Sequence, residues 1–349
     1  MRWLDASGPG LSRKGGAGPS DHKAVKLGPH TLMVPILNGA SKQSPYAAEV
    51  RGDSALLLYD GRPIGELGFP KTPRFYQRAT ADGIPYWKIA TLHASDVLAT
   101  TVLQTCTRYG HRETSCQFCA LGQSLAAKAT IPEKTPEQLA EVAEAAVVLD
   151  GVRHAVLTTG TPPGSDRGAR VLSDAARAIR SRVSLPIQAQ CEPPADFSWF
   201  QRMREAGVDS LGLHLEAVTE DVRRRIMPGK AEVPVSVYLD AFASSVRVFG
   251  RGQVSTYILF GLGDTRKDIL EMAATLVELG VYPFVVPFVP IAGTPLEHHP
   301  TPPAPELDAL LRDLSALLAR AGMSSDAIKA GCGRCGACSS LKLREASHV

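Results

Sequence analysis

A chain of 349 residues with 44% hydrophobic and 21% charged content can build one large globular domain or two small ones. Its formal net charge of +3 gives no field that would gather nucleic acid, and no apolar run reaches the ~18 residues that span a bilayer. The N-terminus carries no apolar core of a secretory signal. The expected compartment is therefore the cytoplasm, where clustered cysteines act as metal ligands or redox groups rather than disulfides.

Residues 1–30 are rich in Gly, Ser and Lys and read as a flexible leader. Residues 31–94 read as a small β-rich extension. Within it, Ala55-Leu56-Leu57-Leu58-Tyr59, Asp60-Gly61-Arg62-Pro63 and Ile64-Gly65-Glu66-Leu67-Gly68-Phe69 predict a hairpin about a tight Asp-Gly turn. From about residue 95 strands and helices alternate. Thr135-Pro136-Glu137-Gln138 is a helix start, with Thr as N-cap, Pro at the first position and Gln completing a capping box. Strands are expected over 154–160, 186–191, 210–216, 253–260 and 283–289. Helices are expected over 170–182, 197–206, 235–249, 265–279 and 304–321. About six βα units after residue 119 predict an α/β fold, a complete or partial (β/α) TIM-like barrel over 95–322. A Cys-rich tail, 323–349, follows.

Six of the seven cysteines fall in two triads, Cys106/Cys116/Cys119 and Cys332/Cys335/Cys338. Three thiolates can hold three irons of a [4Fe–4S] cluster and leave the fourth iron for a substrate. Cys116-x2-Cys119 is also a zinc half-site, and Cys332-x2-Cys335 could supply the other half; zinc at the second triad alone would want a fourth ligand, such as His348 or Cys191. Cys191 reads equally as a small buried hydrophobe. The first triad follows the apolar stretch 97–103 and precedes the βα array. That places it on the face where barrels keep their chemistry and favours a cluster.

The chain resembles radical S-adenosylmethionine (SAM) enzymes of the biotin synthase and lipoyl synthase type, and most of all a bacterial subgroup often encoded near nitrilase genes. The resemblance covers roughly residues 95–340. It rests on Cys116-Gln117-Phe118-Cys119-Ala120-Leu121-Gly122, Thr158-Thr159-Gly160-Thr161, His214-Leu215-Glu216 and Met227-Pro228-Gly229-Lys230. Ile258-Leu259-Phe260-Gly261-Leu262-Gly263-Asp264 and Pro290-Ile291-Ala292-Gly293-Thr294-Pro295-Leu296 continue it. The family spacing is C-x3-C-x2-C; here nine residues separate Cys106 from Cys116. Closure entropy grows slowly with loop length, so the thiolates can still meet. The inserted Arg108, Tyr109, His111 and Arg112 are expected to be solvated loop residues.

The resemblance implies SAM and two [4Fe–4S] clusters as cofactors. Cys106, Cys116 and Cys119 would be both the first cluster's ligands and the catalytic residues. Phe118 would pack on the adenine, and the backbone carbonyls of Thr159 and Gly160 would meet the SAM amino group. His214 and Glu216 would take the ribose hydroxyls and Lys230 the SAM carboxylate. Gly261 and Gly263 would let the backbone approach the adenine. The family often has Gly-Gly-Glu at the strand end where this chain has Thr159 and Gly160, and that Glu is missing here. From the residues alone, His214 reads equally as a buried structural histidine and Lys230 as a solvated lysine.

Cys332, Cys335 and Cys338 would bind the second cluster, with Ser339 or Ser340 as candidate fourth ligands. In biotin and lipoyl synthases a second cluster gives sulfur to the substrate radical. The leading expectation is therefore a sulfur-inserting radical SAM enzyme acting on a small molecule. By analogy alone the substrate class extends to antibiotic-type secondary metabolites, for instance a nucleoside whose sugar gains sulfur. Flavodoxin or ferredoxin would be the electron donor; neither nucleic acid nor membrane is an expected partner. Two alternatives stay open: an oxidoreductase or rearrangement enzyme whose second cluster moves electrons, and a zinc-stabilised, non-radical barrel acting as a binding module or hydrolase.

Overall fold

The computed structural model describes residues 1–5, 21–36 and 39–346 and contains two sheets. The first has six strands: β1 (Arg2–Leu4), β2 (His22–Leu27), β3 (His30–Pro35), β4 (Tyr46–Arg51), β5 (Ser54–Tyr59) and β6 (Arg62–Gly68). Their order is β1-β4-β5-β6-β2-β3. The expected hairpin is present: Tyr59 pairs with Arg62 across Asp60 and Gly61, both at positive φ, as the twist of a two-residue turn requires. Strands β1 and β2 fall inside the leader expected over residues 1–30, so order reaches further towards the N-terminus than composition indicated. Neighbouring Ala24 and Val25 of β2 face opposite ways. Val25 joins the sheet's own core with Ala48, Ala55 and Leu67, whereas Ala24 and Met33 pack on Ala337, Cys335 and Cys338 of the tail.

The second sheet holds β7 (Thr91–His93), β8 (Val97–Thr101), β9 (His154–Thr158), β10 (Ile187–Cys191), β11 (Ser210–Leu213), β12 (Val254–Phe260) and β13 (Val281–Pro287), in the order β13-β12-β11-β10-β9-β8-β7. Strands β8 to β13 are parallel neighbours, and β7 adds an antiparallel edge. Edges at β13 and β7 make this an open, partial barrel. Five parallel strands follow the first cysteine triad rather than about six, because β8 precedes it. All five residues of β8 and of β10 are buried, as expected for parallel strands covered on both faces.

Helices fill the crossovers close to their sequence-predicted limits. Pro136–Asp150 starts on the complete Thr135/Gln138 capping box and turns Leu139, Val142, Ala143 and Ala146 onto the sheet. Each such burial contributes about 1–3 kcal/mol, less for Ala. The strand expected over 210–216 stops at Leu213, because Glu216 adopts φ +63° and leaves the sheet after a single bridge to Ile258. No helix among the described residues is long and apolar enough to cross a membrane.

Candidate active site

Loops leaving the C-terminal ends of β8 to β11, with the short helix Pro228–Ala231, surround a cavity of about 400 Å3. Cys106, Cys116, Cys119, Phe118, Thr159, Gly160, His214, Glu216 and Lys230 all line it. Parallel strands end on one face, so segments far apart in sequence deliver side chains to one place.

The loop after β8 is pinned by backbone bonds. Gly160 N–H donates to the Leu103 carbonyl (2.8 Å), Thr107 N–H to the Thr161 carbonyl (2.9 Å) and Gln117 N–H to the Ile226 carbonyl (2.8 Å). A Cβ on Gly160 would collide with the Thr105 carbonyl oxygen, so glycine is what lets the cysteine loop cross this strand end. The ten-residue step from Cys106 to Cys116 is not simply a solvated loop. Arg108 donates to both oxygens of Glu192 at 2.9 and 2.8 Å, with side chains only 15% and 8% exposed. Thr161 Oγ1 donates to the same carboxylate at 2.7 Å. Tyr109 covers Gly122 and donates to Gln123 Oε1 at 3.1 Å. His111 and Arg112 are exposed, as expected.

Lys230 is buried, not solvated. Its Nζ lies 2.9 Å from Glu216 Oε2, the two side chains 11% and 17% exposed. Burial works against its charge, but the Glu216 carboxylate prevails and raises the ammonium pKa. Glu216 holds its carboxylate there from a left-handed backbone conformation that costs a non-glycine residue about 1–3 kcal/mol, a strain typical of functional sites. Burial, and next the Lys230 charge, push His214 down to about 3. Its Nδ1 accepts the Tyr257 backbone N–H at 3.1 Å, so the neutral ring carries its proton on Nε2.

Burial raises the Cys116 thiol well above its ordinary range and Cys119 to about 11. Such thiols ionise when metal charge is bound beside them, which is how a cluster would fit this donor set. Among the described residues, no three His, Cys, Asp or Glu side chains are arranged around a single metal ion. A cluster is wider, with each thiolate on its own iron. A residue that sequence reasoning passed over also fits a ligand. Gln104 is 3% exposed and lines the cavity, its Nε2 donates to the Leu121 carbonyl, and its Oε1 has no partner. No motif marked it; its position just ahead of the cysteine loop was the available clue.

Gly261 and Gly263 do not line the cavity. Their bare Cα atoms make room for Pro302 and for the Arg225 guanidinium. Phe118 does sit in an apolar nest with Val222, Met227, Leu262 and Phe288.

The second triad lies inside the partial barrel. Gly331 N–H donates to His154 Nδ1 (3.2 Å), Cys332 N–H to Gln188 Oε1 (3.2 Å) and Ser339 Oγ to the Val285 carbonyl (2.7 Å). Met33 N–H of β3 donates to the Ala337 carbonyl at 2.8 Å. Barrel and N-terminal sheet thus hold the tail between them. Of the fourth ligands weighed from sequence, Ser339 is engaged with Val285 and Leu341, and Ser340 is exposed. Cys191 lines the first cavity, and His348 lies outside the described residues.

The family model of the radical SAM superfamily matches residues 104–276. Bacteriochlorophyllide c C-7(1)-hydroxylase of Chlorobaculum limnaeum is 27% identical over 319 residues, 83% of this chain and 78% of that protein. Biotin synthase of Thermus thermophilus is 30% identical over 187 residues, 52% of this chain; the match spans 53% of the biotin synthase, about half its length. Among solved structures, methylornithine synthase covers 70% of this chain and 67% of its own at TM-score 0.48 and 19% identity. The match begins just ahead of the first cysteine loop and runs through β12, taking in the C-terminal ends of β9, β10 and β11. The chain belongs to the radical SAM superfamily, which implies a [4Fe–4S] cluster and SAM as cofactors.

Proposed function

We propose that the protein cleaves SAM reductively at Cys106, Cys116 and Cys119 and inserts sulfur from a second cluster at Cys332, Cys335 and Cys338 into a small molecule. When bound and reduced, the first cluster and SAM supply a 5′-deoxyadenosyl radical that takes hydrogen from a substrate C–H. The observation that carries the sulfur reading is a mainly apolar chamber of about 230 Å3 whose lining includes both Phe118 and Cys338. Met33 and Pro35 of β3 and Tyr257 and Leu259 of β12 also line it. A substrate held there would touch the cysteine loop of the first site and a thiolate of the second. The low polarity of the chamber keeps water from a reactive carbon centre.

On the first site, Lys230 would pair with the SAM carboxylate and Glu216 would accept ribose hydroxyls beside the His214 Nε2–H. Phe118 would flank the adenine. The carbonyls of Thr159 and Gly160, with Gln104 Oε1, would accept from the SAM ammonium. A reduced donor of the flavodoxin or ferredoxin class would supply electrons.

The test is anaerobic incubation with SAM and dithionite. The Cys106/Cys116/Cys119→Ala variant should form no 5′-deoxyadenosine. The Cys332/Cys335/Cys338→Ala variant should still form it while iron falls from about eight to about four per chain. Clusters labelled with heavy sulfide should pass label to product in one turnover. Label retained in an intact second cluster would support instead an oxidoreductase whose second cluster moves electrons. The hydroxylase relative, which covers more of the chain than the biotin synthases do, favours that second reading.

A further inference from the structure

The three tail thiols are not held alike. Cys338 Sγ receives the Tyr257 hydroxyl and faces His93 Nε2 at 3.7 Å. Cys332 Sγ accepts from Gln190 Nε2 at 3.2 Å. Cys335 faces a separate polar cleft lined by His30, Asp96, Arg334 and Lys342. The Cys338 donors come from opposite sides of the sheet: Tyr257 from β12 and His93 from the antiparallel edge strand β7. Cys338 is also the tail thiol that borders the chamber shared with Phe118.

We propose that Tyr257 and His93 are positioning residues that donate hydrogen bonds to the Cys338 thiolate, raise the reduction potential of the second cluster and weaken its iron–sulfur bond on the side facing the substrate chamber. This rests on the reading of Cys332, Cys335 and Cys338 as cluster ligands. An iron-bound thiolate can only accept. His93 must then carry a proton on Nε2, and the Tyr257 hydroxyl has one proton to give. Donors to a ligating sulfur withdraw charge from it. They stabilise the more negative, reduced cluster and make the thiolate a poorer donor to iron. In a buried, low-dielectric site these bonds act at close to full strength. Two donors on Cys338 against one side-chain donor on Cys332 make the cluster unequal, with its weakest protein bond next to the substrate.

Such a role can be read without substrate. In a Cys106/Cys116/Cys119→Ala background, anaerobic reconstitution with iron and sulfide isolates the second cluster. Tyr257→Phe and His93→Leu should keep the parent's iron content. Each should lower the midpoint potential in an EPR-monitored titration and raise an Fe–S(Cys) stretching frequency in resonance Raman. Both shifts should be larger in the double variant, and His93→Gln, which keeps an N–H, should restore most of the His93 effect. Unchanged potential and stretch in Tyr257→Phe at full iron content overturn the proposal. That variant removes a single oxygen, so it decides the matter even where His93→Leu fails to hold iron. Strong coupling to a directly bound nitrogen in pulsed EPR would make His93 an iron ligand and overturn its role as a donor to sulfur. A background protein that takes up no cluster at all overturns the ligand reading itself, and is told apart by iron content alone.

Discussion

The backbone N–H of Tyr257 donates to Nδ1 of His214 across 3.1 Å, while the Tyr257 hydroxyl reaches Cys338. One residue of β12 therefore fixes the tautomer of a histidine in the cavity of the first triad and touches a thiol of the second. Burial holds His214 neutral, with its pKa near 3. SAM affinity should therefore show no histidine titration from pH 5.5 to 8 that is lost in His214→Gln. A difference between the two pH profiles in equilibrium binding would reassign the ring.

The Glu216–Lys230 pair is nearly buried, so removing one partner strands the other. Glu216→Ala should lower SAM affinity by about 1–3 kcal/mol, the range for lost bonds to a charged group. It should also lower the denaturant midpoint, because an uncompensated buried ammonium remains. Unchanged SAM binding in calorimetry would confine Glu216 to the fold.

Gly160→Ala introduces a methyl where the Thr105 carbonyl lies. The strand end and the cysteine loop cannot both stay in place. The variant should keep its far-UV circular dichroism and lose about half its iron, since only the first triad is displaced. Full iron content would show that the loop can relax around the methyl.

Arg108→Ala removes both bonds to Glu192. The expected loss is about 1.5–3 kcal/mol, the range for bonds to a charged group. It should appear as a lower unfolding midpoint and faster iron release to a chelator. A midpoint and release rate equal to the parent's would return Arg108 to the solvated loop expected from sequence.

Lys134 is 2% exposed and donates to the carbonyls of Thr101 and Ile131, and burial lowers its pKa to about 7. Between that value and the ordinary lysine range, the unfolded chain binds a proton that the folded chain does not. Stability should therefore rise with pH in this window, by up to about 1.4 kcal/mol per unit. Lys134→Met should flatten that slope in urea titrations at pH 7.5 to 9.5. An identical slope in the variant would mean that the amine stays charged in the fold.

The alternation of strands and helices, the Asp60-Gly61 turn, the Thr135 capping box and the two cysteine triads are all legible in the order of residues. These are written in short-range patterns: hydrophobic period, turn chemistry and ligand spacing. Local signals also put the first triad on the loop after the first parallel strand, and that loop lines the cavity at the strands' C-terminal ends. The rest depends on contacts made in the folded chain. Lys230 and Arg108 look like surface cations until Glu216 and Glu192 come to meet them. Gly261 and Gly263 look like ligand-facing glycines until Pro302 and Arg225 occupy the space. The N-terminal strands carry no motif, yet Met33 holds the tail and walls the chamber. His93 meets Cys338 across 245 residues of chain. Contacts of that span depend on which elements the folded barrel brings side by side, and no local pattern encodes them.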